Sequence, residues 1–148
     1  MAKKNKIDSV VKELFDLLGI KESFEVEETE DLISINLNTE ESGIIIGRHG
    51  DTLESLQLIL SLIIAKENGE FKRVSLEVGD YKKNREDYLK SLATQTKDRA
   101  MSENREISLP NLKPWERRIV HMYLSEDEEV ISESIGEGRD RTLVVRPK

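Results

Sequence analysis

The sequence predicts an α+β fold built as two small units, and three observations carry that prediction. Apolar residues at helical spacing and apolar residues in alternation follow one another along the whole chain, with no internal repeat and no low-complexity segment. The mixture occurs twice, on either side of Gly79-Asp80, which places the units at residues 1–79 and 80–148. At 148 residues there is chain enough for two small cores, and with only 5% aromatic residues they must be filled by Ile, Leu and Val.

The first unit opens with Ile7, Val10, Val11, Leu14, Leu17 and Leu18 at helical spacing, stopped by Gly19. Phe24-Glu25-Val26-Glu27 and Leu32-Ile33-Ser34-Ile35-Asn36-Leu37 alternate, and the polar segment Glu28 to Asp31 between them makes a hairpin. Gly43-Ile44-Ile45-Ile46-Gly47 is a short apolar helix closed by Gly47-Arg48-His49-Gly50. Asp51 or Thr52 is placed to cap the next helix, whose stripe is Leu53, Leu56, Leu60 and Ile63-Ile64. Asn68-Gly69 ends it, and Val74 to Val78 alternates as a third strand.

The second unit begins with Asp80 to Met101, uninterrupted by Gly or Pro, with Tyr88, Leu89, Leu92, Ala93, Thr96 and Ala100 as its stripe. Ile107-Ser108-Leu109 reads as a short strand. Pro114 suits the first turn of a helix over Trp115 to Leu124, because its missing N–H is not needed there. Val130 to Ile135 and Thr142 to Val145 are strands around Gly136-Glu137-Gly138-Arg139-Asp140.

Composition removes several function classes. Zero cysteines exclude disulfides, thiol chemistry and Cys-based zinc sites, and fit a cytoplasmic protein. The two histidines, His49 and His121, have no carboxylates at ligand spacing, so neither a metal nor another cofactor is expected. No apolar run approaches the roughly 18 residues of a membrane span, and the basic N-terminus lacks the apolar block of a signal peptide. The net charge of −7 is uneven: residues 81–124 hold ten Lys/Arg against six Asp/Glu, whereas residues 1–42 hold five against eleven. Local potential governs contact with phosphate, so the basic segment outweighs the total, and the acidic remainder limits non-specific affinity.

Gly47-Arg48-His49-Gly50 is the first candidate site. Two glycines permit a tight inter-helix turn and close approach of another backbone. The helix that follows presents unpaired N–H groups, Arg48 adds positive charge, and His49 can donate to phosphate or stack beneath a base. Ile45, Ile46 and the neighbouring sheet are expected to line a groove for unstacked bases. In isolation Gly-x-x-Gly is an ordinary turn. It lacks the Gly-Lys-Ser/Thr of a phosphate-binding loop and the strand–loop–long-helix context of a dinucleotide fingerprint.

Arg117 and His121 are the second candidate site, four apart and hence on one helical face, where they can contact adjacent phosphates or combine phosphate contact with stacking. The bland account pairs Arg117 with a carboxylate and leaves His121 structural. Lys82, Lys83, Arg85, Arg139 and Arg141 are expected to supply supporting basic surface, with Arg118 pointing elsewhere.

Residues Gly43-Ile-Ile-Ile-Gly-Arg-His-Gly-Asp-Thr-Leu-Glu-Ser-Leu-Gln57 closely resemble the KH core of the bacterial Jag (SpoIIIJ-associated) family. The element order resembles a type II KH domain, and Arg73 to Tyr81 resembles the family's joining segment. Asn111 to His121, Ser132 to Gly138 and Leu143 to Pro147 resemble the small domain named for its Arg-x-x-x-His spacing. The resemblance implies single-stranded nucleic-acid binding, RNA before DNA, by Gly47, Arg48, His49, Gly50, Arg117 and His121. It also implies a regulatory part in cell elongation, division or sporulation, and is compatible with a homodimer or a related KH-protein partner. Many members carry a further N-terminal Jag domain and linker that do not occur in these 148 residues; a short member or a truncated region is expected, and functions of that domain are not carried over.

Two rival classes remain. An enzyme would need an acid–base pair, yet Glu116 and His121 are five apart and on different helical faces, so no catalytic residue is expected. A protein-interaction adaptor fits the acidic first unit, and a fold alone does not dictate function.

Overall fold

The structure, a computed structural model, describes residues 2–39 and 42–148. The chain divides into two compact units after Lys82, three residues beyond the expected boundary.

In the first unit, α1 (Ala2–Leu17) precedes β1 (Phe24–Glu28) and β2 (Leu32–Leu37). Then come α2 (Ser42–Ile46), a single 3-10 turn at Arg48–Gly50, α3 (Asp51–Asn68) and β3 (Arg73–Val78). The sheet order is β1-β2-β3, with β1 antiparallel and β3 parallel to β2. A parallel pair needs a long crossover, and α2, the turn and α3 provide it, so the glycine loop lies inside the connection that the sheet demands. Ile33, Ile35 and Leu37 in register with Val74, Leu76 and Val78 give the sheet its apolar face. Leu53, Leu56, Leu60 and Ile64 of α3 pack in the same core.

The helix α1 corrects one expectation. Its buried row is Ile7, Val11 and Phe15, with Val10 and Leu14 at the margin, and Leu17 and Leu18 are exposed. Leu17 lies two residues beyond Phe15, a rotation of about 200° that turns it away from the core. Phe15 instead meets the Phe24 ring edge-on with centroids 5.4 Å apart, which seats the helix on β1.

The second unit contains α4 (Tyr81–Glu103, its first residues counted with the preceding unit), β4 (Ile107–Leu109), α5 (Pro114–Leu124), β5 (Val130–Ile135) and β6 (Thr142–Pro147). Its sheet is antiparallel in the order β4-β6-β5. The core joins Leu89, Ala93 and Ala100 of α4 to Val120 and Leu124 of α5 and to Val130, Leu143 and Val145 of the sheet. Tyr88, expected in the α4 stripe, is exposed, because Leu89, Ala93, Thr96 and Ala100 already complete the 4-3-4 spacing of one buried face. β6 runs two residues past the expected end at Val145. Pro147 stands opposite Val130 and the ladder continues through Lys148 N–H donating to Glu129 O at 2.9 Å. No helix among the described residues is long and apolar enough to cross a membrane.

Candidate nucleic-acid interface

The glycine loop is fixed by its backbone. The Gly47 N–H closes α2 by donating to Gly43 O at 2.9 Å. Gly47 then takes φ 68°, ψ −170°, a region that side chains essentially exclude, and a Cβ there would stand 2.1 Å from Thr52 Oγ1. Gly50 takes φ 79°, and a Cβ there would meet Tyr81 Oη at 3.0 Å. Between them Arg48 and His49 are exposed, His49 in the left-handed region at φ 51°. Both glycines therefore answer to the fold, and the two side chains between them are left for solvent.

Two expectations about this loop are corrected. The residue at the N-cap of α3 is Gly50, not Asp51 or Thr52. The 3-10 turn runs straight into the helix, so the Asp51 N–H already donates to Arg48 O and Thr52 packs back on Gly47. Asp51 and Glu54 lie in the first turn of α3, where they suit the helix dipole and oppose an incoming anion. The expected groove residue Ile45 is buried in the core, Ile46 is half-buried, and it is Ile44, 84% exposed, that presents apolar surface beside the loop.

The start of α5 is built from three residues. Lys113 is the N-cap, Pro114 follows in the first turn, and Glu116 reaches back to accept the Lys113 N–H at 2.9 Å. Glu116 is fully buried and its other oxygen takes a bond from Arg85 Nε at 2.7 Å. Arg117 is half-buried and donates from Nη1 to Leu112 O at 2.7 Å, and among the described residues it pairs with no carboxylate. His121, one turn on, is exposed, with Nδ1 2.9 Å from Ser132 Oγ. Sequence reasoning missed Ser132 and the part played by Glu116. The Glu three residues after the cap was a legible signal for the second, and nothing local marks the first.

The basic segment is far less available than its charge count suggests. Arg85 is corrected from supporting surface to a mostly buried partner of Glu116. Lys82 is half-exposed and pairs with Glu77 at 2.8 Å. Lys90 pairs with Glu86, and Arg99 and Arg105 share Glu103, whose carboxyl they hold below the usual range. Lys97 bridges Asp127 and Glu129, both at 2.6 Å, which raises its pKa well above the ordinary lysine value. By contrast Arg48, Lys83, Arg118, Arg139 and Arg141 are exposed and make no ion pair among the described residues. Among the described residues no cluster of three or more His, Asp or Glu is placed to hold a metal.

Comparison with known proteins agrees with this architecture. Residues 4–78 match the family described as KhpA/KhpB, KH domain, and residues 87–147 match the family of the Arg-x-x-x-His domain expected from the sequence. Both are non-catalytic module types. The chain is 34% identical over 140 residues to the RNA-binding protein KhpB of Clostridium symbiosum, covering 93% of this chain and 63% of that protein. It is 28% identical over 130 residues to the RNA-binding protein KhpB of Bacillus subtilis, covering 86% and 62%. For the protein of the same name from Lactiplantibacillus plantarum, identity is 28% over 137 residues, covering 93% and 41%. The chain thus spans less than two thirds of the length of these relatives. With its KH domain followed by an Arg-x-x-x-His domain, it belongs to the KhpA/KhpB family, the Jag or SpoIIIJ-associated proteins.

Proposed function

We propose that this chain binds single-stranded RNA, and single-stranded DNA less well, without cleaving it, through Gly47-Arg48-His49-Gly50 and through Arg117 and His121. The observation that carries this reading is the glycine loop, where Gly47, closed to other residues, and Gly50, strained for them, hold an exposed Arg48 and His49 at the mouth of α3. Lys83, Arg139 and Arg141 are the supporting cations that remain outside ion pairs among the described residues. With so few cations, binding is weak to moderate and rests on few phosphate contacts. The relatives' name, RNA-binding protein, favours RNA as the polymer. A cytoplasmic location and a regulatory part in cell elongation, division or sporulation are inherited proposals that follow the family resemblance.

A second copy, or a related KH protein, is the proposed protein partner. The apolar surface of α1 is mostly spent inside its own unit, since Ile7, Val11 and Phe15 are in the core. The exposed Leu58, Ile59 and Leu62, adjacent on one side of α3, are the better candidate. The adaptor reading draws support from the pairing of most basic residues in α4.

Titration of a labelled unstructured RNA across salt concentrations separates the two readings. Affinity that falls as salt rises supports RNA binding, and loss of measurable binding even at low salt favours the adaptor.

A further inference from the structure

We propose that the buried hydroxyl of Ser132 is the positioning residue for His121: it donates to Nδ1 and fixes the imidazole as the Nε2–H tautomer. The inference rests on the RNA-binding reading only for its functional consequence.

Ser132 lies on the covered face of β5, two residues from Val130 and in register with Val145, both core residues. It is 7% exposed, and its hydroxyl has one hydrogen-bond partner among the described residues, His121 Nδ1 at 2.9 Å. The two neutral tautomers of His121 therefore differ sharply. With the proton on Nδ1, the imidazole donates to Ser132 Oγ and the serine's own hydrogen has no acceptor among the described residues, at the cost of an unmade bond. With the proton on Nε2, the serine donates to Nδ1, and both the hydroxyl and Nδ1 are satisfied. The second arrangement holds the ring in one orientation and leaves Nε2–H, which has no acceptor among the described residues, as a donor on the exposed side of α5. Phosphate and carbonyl oxygens only accept, so this tautomer matches a polynucleotide backbone or a pyrimidine carbonyl.

The test is nitrogen-15 NMR of the imidazoles in the full chain without RNA at about pH 8, above the ordinary histidine range, with His121 assigned through His121→Ala. The expected result is a protonated Nε2 and an unprotonated Nδ1 in the parent and in Ser132→Thr, and a mixture of tautomers in Ser132→Ala. RNA affinity is expected to fall about fivefold in Ser132→Ala, the worth of one ordinary hydrogen bond. It recovers in Ser132→Thr and falls no further when Ser132→Ala is added to His121→Ala. A protonated Nδ1 in the parent, or a His121 signal unmoved by Ser132→Ala, overturns the inference. Parent-like RNA affinity in His121→Ala would instead remove His121 from the RNA contact and leave the tautomer assignment standing.

Discussion

Arg85 and Glu116, 31 positions apart, form an ion pair in which Nε lies 2.7 Å from a carboxylate that has no exposed surface. The same carboxylate closes the start of α5 through the Lys113 N–H, so one buried charge ties α4 to the helix that carries Arg117 and His121. Removing one member of such a pair strands the other. Glu116→Ala is expected to lower the unfolding free energy by about 3–5 kcal/mol in urea titration. Arg85→Ala is also expected to destabilise while leaving the salt slope of RNA binding at the parent value. A stable Arg85→Ala variant with a reduced slope would return Arg85 to the binding surface.

Gly47 offers a separate test of the loop. Gly47→Ala forces a Cβ into a backbone region closed to it and into Thr52 Oγ1. The expected cost is about 1–3 kcal/mol or more in chemical denaturation. A cost near zero would show that the turn has another geometry.

Most of the fold was legible because it is written in local periods. β4 over Ile107–Leu109 and β5 over Val130–Ile135 match the expected spans, and Pro114 marks the start of α5 as its missing donor requires. The errors lie where a local pattern had two solutions. On α1, Leu17 and Phe15 are equally apolar, and Phe15 is the one that continues the Ile7–Val11 row and meets Phe24. The candidate site was legible as motifs but not as electrostatics. Arg85–Glu116 and Lys97–Asp127 join positions 31 and 30 residues apart, and a count of charges along the chain treats such partners as surface. Ser132 was hidden for the same reason, since its only mark is a bond to His121 across α5 and β5.

Lys97 and Asp127 make stability depend on pH in a definite direction. The Lys97 ammonium, then the Glu129 N–H, hold the Asp127 carboxyl below its ordinary range. That contribution is present above the unfolded value of about 3.9 and is lost as pH falls through the lower folded value. The raised Lys97 contributes below about 10.4 and is lost only as pH rises through its higher folded value, so neutral pH retains both. Lys97→Met is expected to melt earlier than the parent at neutral pH, with the difference closing in strong acid. A constant difference across the acid range would contradict this.

Self-association through α3 is tested by sedimentation equilibrium. A two-fold dimer is the expected form, and Leu62→Glu is expected to return it to the 17.0 kDa monomer. A parent that sediments only as monomer, alone and with a related KH protein, would remove this surface from the account.

The central claim is that the exposed pair between Gly47 and Gly50 contacts RNA, and the most direct measurement is the RNA affinity of the double variant Arg48→Asp, His49→Asp. Both glycines and Thr52 remain, so the turn keeps its backbone while negative charge replaces the two donors beside the phosphate path. Affinity for unstructured RNA is predicted to fall by at least about tenfold, or about 1.4 kcal/mol. A variant with the parent's circular dichroism and the parent's affinity would contradict the assignment of this loop as the RNA contact.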